Sequence, residues 1–119
     1  MLVRRVFAVR PPSPISRILL SDAVFLVLEW DPRKARSNLR KHRVSVGEAA
    51  SVFSNPLARI FPDEEHSAEE SREIIIGHSS ATRLLLVSFI ETETDRVRII
   101  SARPATKKEQ HDYEEHITA

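Results

Sequence analysis

The sequence predicts one small α+β domain: two N-terminal helices packed on an antiparallel sheet of about four to five strands, with a further helix at the C-terminus. Three observations lead there. Two helix-start signals, at Asp31-Pro32 and at Ser45, follow a first apolar strand. Four short runs of branched and aromatic residues come next, and the connections at 78–82 and 91–95 suit hairpins and are too short for parallel crossovers. A last helix-start signal, at Thr106, closes the pattern. At 119 residues, with 41% apolar and 29% charged side chains, the chain suits a single well-solvated domain rather than a disordered one.

Residues 1–22 read as a basic, proline-containing and flexible extension. Arg4, Arg5, Arg10 and Arg17 make it basic, and Pro11, Pro12 and Pro14 forbid a regular helix. The apolar run at 18–28 is broken by Ser21 and Asp22 and is too short to span a bilayer. Asp22 also argues against a signal peptide. The folded domain is expected over 23–119.

Its first strand covers 24–29, rich in Val, Phe and Leu. Asp31 then caps a helix with Pro32 at its first position, running to about His42 with Ala35, Leu39 and His42 inward. Ser45 and Glu48 form a capping box. Val46, Ala49, Ala50 and Phe53 share one face of the second helix, which Asn55-Pro56 ends. Strands are expected at 57–61, 73–77, 83–90 and 96–102, as an antiparallel meander. Thr106 and Glu109 form a second capping box, opening a polar helix anchored only by Tyr113 and Ile117.

Composition removes several chemistries. There is no cysteine, hence no disulfide, thiolate metal site or cysteine nucleophile, which fits a reducing cytoplasm. The two glycines, Gly47 and Gly77, cannot make a glycine-rich phosphate loop. Asp63, His66 and His78 match no metal-ligand spacing, so neither metal nor other cofactor is expected. Net charge is only +1, but it is unevenly spread. Residues 33–43 carry six basic side chains and no acid, and 63–73 carry six acids against Arg72 alone. Such a chain suits a polyanion on one side and a basic partner on the other, although two solvated faces would look the same.

RNA is the polyanion to consider. Arg98 and Arg103 bracket an apolar strand, and arginine is a planar, permanently charged fork for phosphate oxygens. Cleavage of that RNA is what the family resemblance below implies, and without metal it would need a base for the 2′-hydroxyl, a cation for the phosphorane and an acid for the leaving oxygen. Arg98 and Arg103 are the candidate cations. Their odd spacing sends them to opposite faces of a regular strand unless a bulge re-aims one. Lys34, Asn38 and Lys41 lie on one helical face, which is either phosphate-binding or merely solvated. His42 is a candidate base or a bonded structural residue. His66 is a candidate acid or base, in a polar group with Glu70 and Arg72. Arg72 and Arg83 open consecutive strands and serve equally to touch RNA or to pair with carboxylates. Trp30 either stacks a base or fills the core.

These residues, in this order, resemble the BrnT family, the toxins of a type II toxin–antitoxin system. The resemblance rests on Trp30-Asp31-Pro32 with Lys34; on 38–42 with Val44 and Ser45; and on Glu48, Ala49, Val52 and Phe53. Asp63, His66, Glu70, Arg72 and Gly77 follow, then 98–103 with Ala105, Glu109 and Tyr113. Two positions depart from it. Arg43 stands where relatives often carry glycine at a helix C-terminus, and Gly47 where a larger residue is common. The resemblance implies a RelE-like ribonuclease fold and RNA cleavage that arrests translation. It also implies a ribbon-helix-helix antitoxin that blocks the toxin in a hetero-oligomer and binds operator DNA. The alternative is a non-catalytic module that binds RNA or regulates an operon with its DNA-binding partner.

Overall fold

The computed structural model describes residues 7–10, 15–20, 24–63, 71–93 and 95–118, with side-chain surroundings given within 26–116. Three strands come first among the described residues: β1 (Phe7–Arg10), β2 (Ile15–Leu20) and β3 (Val24–Trp30). Helices α1 (Pro32–His42) and α2 (Val46–Ser51) follow, the latter continued by a 3-10 turn at Val52–Ser54. Then come β4 (Arg59–Pro62), β5 (Arg72–His78), β6 (Leu84–Glu93), β7 (Arg96–Pro104) and α3 (Lys107–Thr118). The sheet order is β1-β2-β3-β7-β6-β5-β4.

The fold is α+β, and β4 to β7 form the expected antiparallel meander. The sheet as a whole is mixed rather than antiparallel, because β3 runs parallel to β7, with Glu29 opposite Arg98 and Trp30 opposite Ile99. A parallel neighbour needs a long return path, and the two helices and three strands between β3 and β7 supply it. Within 1–22, where the sequence predicts a flexible extension, β1 pairs with β2 and β2 with β3, with Ile18 opposite Leu26. Ile15, Ile18, Leu19 and Leu20 carry strand propensity, and β3 offers them an otherwise open edge. The three prolines fall between β1 and β2 and leave both strands intact.

Two apolar layers lie on opposite faces. Leu26, Leu28, Val44, Ala49, Ala50, Val52, Phe53, Ile75, Leu85, Val87, Phe89, Val97, Ile99 and Ala102 form the main core under α2. Phe53 meets Phe89 edge-on at 5.3 Å. Ile76, Leu86 and Tyr113 form a smaller layer under α3. Tyr113 is the expected anchor: it is buried, and its hydroxyl donates to the Leu57 carbonyl at 3.0 Å. Ile117 lies outside the residues whose side chains are described.

α1 is less embedded than its pattern suggests. None of its residues is buried, and Leu39, expected inward, is about half exposed, as His42 is exposed. Ala35, Ser37 and Asn38 are its half-buried positions. The caps are as read. Asp31 accepts from the Arg33 and Lys34 amides at 2.8 and 3.4 Å, and these bonds lower its carboxyl pKa. Arg43 ends the helix in the left-handed region, at φ 59°. Ser45 accepts from the Glu48 amide, but the Glu48 carboxylate turns elsewhere instead of closing the box. Gly77 is required by close approach: a Cβ there would sit 2.8 Å from that of Ala58.

Candidate functional site

The site is built on β7. Ser88 pairs with Ser101, but Phe89 pairs with Ile99, so Ile100 is one residue too many: a bulge. Val97, Ile99 and Ala102 all reach the same core, which confirms that alternation shifts by one there. Arg98 and Arg103 therefore share the face opposite that core. Five residues of strand keep them about 16 Å apart along the backbone.

Asn38 holds the bulge. Its Oδ1 accepts from the Ala102 amide at 3.0 Å, and its Nδ2 donates to the Val44 carbonyl at 3.1 Å. β3 ends opposite Ile99, so the next stretch of β7 lacks a strand neighbour on that side. The side-chain amide stands in for the missing backbone, satisfying a donor that would otherwise go unpaired. This explains why an asparagine sits among lysines on α1.

The candidate cations divide into occupied and open. Arg103 makes two 2.8 Å hydrogen bonds to the two oxygens of Glu109, and a third, at 3.2 Å, to the Pro104 carbonyl. Hydrogen bonding from Arg103 is the main reason that the Glu109 carboxyl is held down at about 2, with the Thr106 amide adding to it. The same pair raises the Arg103 pKa. Thr106 and Glu109 also close the predicted capping box in both directions, at 2.9 and 3.1 Å. Arg103 thus fastens α3 to the sheet, in the wall of a groove of about 760 Å³ shared with Phe61, Ile76, Leu86 and Tyr113. Arg83 donates to both oxygens of Glu48, at 2.9 and 2.6 Å, and to the Arg43 carbonyl at 2.8 Å. Ser79 joins the same carboxylate at 2.7 Å. The Arg83 hydrogen bonds hold the Glu48 carboxyl below its ordinary range. This cluster staples the α1–α2 turn to the β5–β6 turn.

Arg98 differs from both. Its side chain is 55% exposed, and its carboxylate partner, Glu29, lies 3.8 Å away, beyond hydrogen-bonding distance. Glu29 gives its other oxygen to Arg96 at 2.9 Å. Lys34, Lys41 and His42 are exposed on α1, as are Arg33, Arg36 and Arg40, so the helix presents a continuous basic surface. Arg72 is half-buried on β5, opposite Ile90. Trp30 packs on the core and also lines a small cleft with Lys34, Asn38 and Ser101. His66 and Glu70 lie outside the described residues.

Two residues escaped the sequence reading in different ways. The sequence marks Asn38 as part of a phosphate-binding or solvated face, and the structure adds its bonds to the Ala102 amide and the Val44 carbonyl. The sequence marks Glu29 only as the end of a strand. Alternation puts it on the polar face, yet its arginine neighbours depend on the β3–β7 pairing, which no local pattern encodes.

The model of one protein family, the ribonuclease toxin BrnT of type II toxin–antitoxin systems, matches residues 30–109, about two thirds of the chain. The chain belongs to the BrnT toxin family. The match takes in α1, the bulged β7 and the Thr106–Glu109 cap, the parts that order the candidate site. Among solved structures, the Brucella abortus ribonuclease toxin BrnT, a crystal structure at 1.1 Å resolution, superposes with a TM-score of 0.51 at 25% identity. The alignment covers 94% of that toxin and 66% of this chain. No curated protein matches the chain. The family belongs to type II toxin–antitoxin systems, so membership implies an antitoxin partner. Among the described residues no helix is long and apolar enough to cross a membrane.

Proposed function

We propose that this BrnT-family chain is an RNA endonuclease of the cytoplasm that cleaves without a metal ion and thereby inhibits translation. Arg98 is the observation that carries this reading. It is a cation on a rigid strand, solvent-facing, with its carboxylate partner beyond hydrogen-bonding distance, so its donors are available to a phosphorane's oxygens. The basic surface of α1, with Lys34 and Lys41, binds flanking phosphates, a sequence-independent contribution that weakens as salt rises. His66 remains the candidate acid, with His42 and Arg72 as further RNA contacts. Asn38, Arg83 and Arg103 support the site from the framework, since their polar groups are already engaged. A cognate ribbon-helix-helix antitoxin neutralises the toxin by covering Arg98 and the acidic stretch 63–73, and the complex binds operator DNA through the antitoxin.

One observation favours a second reading, a non-catalytic RNA-binding or operon-regulating module. Two of the candidate cations, Arg83 and Arg103, are committed to carboxylates. The two readings separate on incubation of the purified chain with RNA in excess chelator, alongside induction in cells. The ribonuclease reading expects cleavage and growth arrest. Binding without cleavage and without arrest would establish the module.

A further inference from the structure

We infer that Glu29 is the general base of the cleavage reaction, acting on the same phosphate as Arg98. The inference rests on the ribonuclease reading and supplies the group that it lacks. A base for the 2′-hydroxyl and a cation for the non-bridging oxygens must converge on atoms bound around one phosphorus, so they must be near neighbours. Most candidate bases fail this condition. His42 ends α1 and leads into Val44, which belongs to the core on the other face of the sheet. Glu109 and Glu48 are each engaged by both oxygens with an arginine.

Glu29 meets the condition by register. β3 and β7 pair so that Glu29 is directly opposite Arg98, on the same face. Its two oxygens are in different situations. Oε2 accepts from Arg96 Nη1 at 2.9 Å, which fixes the carboxylate plane. Oε1 faces Arg98 Nη2 at 3.8 Å, too long for a hydrogen bond but close enough for both groups to reach one phosphodiester. The carboxylate is sheltered, 19% exposed, while Arg98 beside it is 55% exposed, so substrate approaches over the arginine. The charged groups facing Glu29 are Arg96 and Arg98 on β7 and, behind Arg96, Glu93 of β6 at 3.8 Å. On the other side, Ile15 of β2 is its partner, with Arg17 two pairs along the strand, opposite Val27.

The step balances as follows. Glu29 Oε1 accepts the proton of the ribose 2′-hydroxyl, and the 2′-oxygen bonds to phosphorus. The P–O5′ bond breaks, and its electron pair goes to the 5′-oxygen, which takes a proton from the general acid or from water. Arg98 neutralises the charge on the non-bridging oxygens. The products are a 2′,3′-cyclic phosphate and a 5′-hydroxyl, and Glu29 returns its proton to solvent.

The test uses the full chain, an RNA oligonucleotide and excess chelator. Wild type is expected to leave 2′,3′-cyclic ends, with kcat falling in acid as the base is protonated. Glu29→Gln keeps an oxygen for Arg96, and is expected to lower kcat about 100-fold or more with little change in KM, abolishing the acid limb. Glu29→Asp keeps the charge but withdraws it by a methylene, and is expected to lower kcat at least about tenfold while retaining the limb. If Glu29→Gln folds and cleaves within about threefold of wild type with the same pH profile, Glu29 is only an ion-pair partner and the inference fails. If Glu29→Gln does not fold, the Asp variant decides, and an unchanged kcat there also overturns it. A wild type that cleaves no RNA overturns the ribonuclease reading first, an outcome distinct from both.

Discussion

Arg98 and Arg103 look equivalent in the sequence, two arginines bracketing one strand, and the structure separates them through a single carboxylate. Glu109 was legible as a capping residue, because Thr-x-x-Glu is a local pattern. That it also takes Arg103 was not legible, since the contact forms only once α3 folds back on the sheet. Arg103→Ala should therefore act on stability, lowering it by about 1 kcal/mol in urea unfolding, the pair being partly solvated. The pair also predicts a pH dependence. With its carboxyl held at about 2 against an ordinary 4.5, Glu109 binds fewer protons in the folded chain than in the unfolded one. Its contribution is whole above about pH 5 and is lost as pH falls towards 2. Glu109→Gln should remove that part of the acid sensitivity, measurable as a flatter stability curve between pH 5 and 2. Asn38 carries a sharper prediction. Asn38→Ala leaves the Ala102 N–H and the Val44 carbonyl without partners and should cost about 2 kcal/mol, whereas loss of an exposed phosphate contact would leave stability unchanged.

Elements whose signals are local were readable in advance. Short connections dictated the meander, and Asp31, Ser45 and Thr106 marked all three helix starts. Non-local choices were not. The parallel β3–β7 pair joins residues far apart in sequence, and the bulge at Ile100 shows only in the pairing register. The amphipathic spacing of α1 overstated its burial, because Leu39 stays open to solvent. The strands within 1–22 were masked by the prolines between them. Their pairing with β3 gives a test: deleting residues 1–22 bares the β3 edge and should lower the melting temperature by several degrees, roughly 1 kcal/mol or more for a domain of this size. An unchanged melting temperature would return the segment to a dispensable extension. At the end of α1, Arg43 holds a left-handed conformation that glycine adopts freely. Arg43→Gly should stabilise the chain by a few tenths to about 1 kcal/mol in urea unfolding, since the carbonyl that Arg83 uses remains.

At the scale of the molecule, the charge distribution was the most legible feature and the pairing of those charges the least. The basic run 33–43 lies on α1 with nearly all its side chains exposed, available to a polyanion. The acidic run 63–73 is the proposed landing site of a basic antitoxin, where opposite charge would mainly speed encounter. Reversing Glu69 and Glu70 to lysine should slow antitoxin association at low salt and leave RNA cleavage intact. Unchanged association kinetics would place the partner elsewhere. The central claim is that a BrnT-fold strand presents Arg98 as the open cation of an RNA-cleaving site. The most direct measurement is the single-turnover rate of RNA cleavage by Arg98→Ala against wild type, in chelator, with melting temperature followed on the same samples. The account predicts a loss of about 100-fold or more at an unchanged melting temperature. Cleavage by Arg98→Ala at the wild-type rate would contradict it.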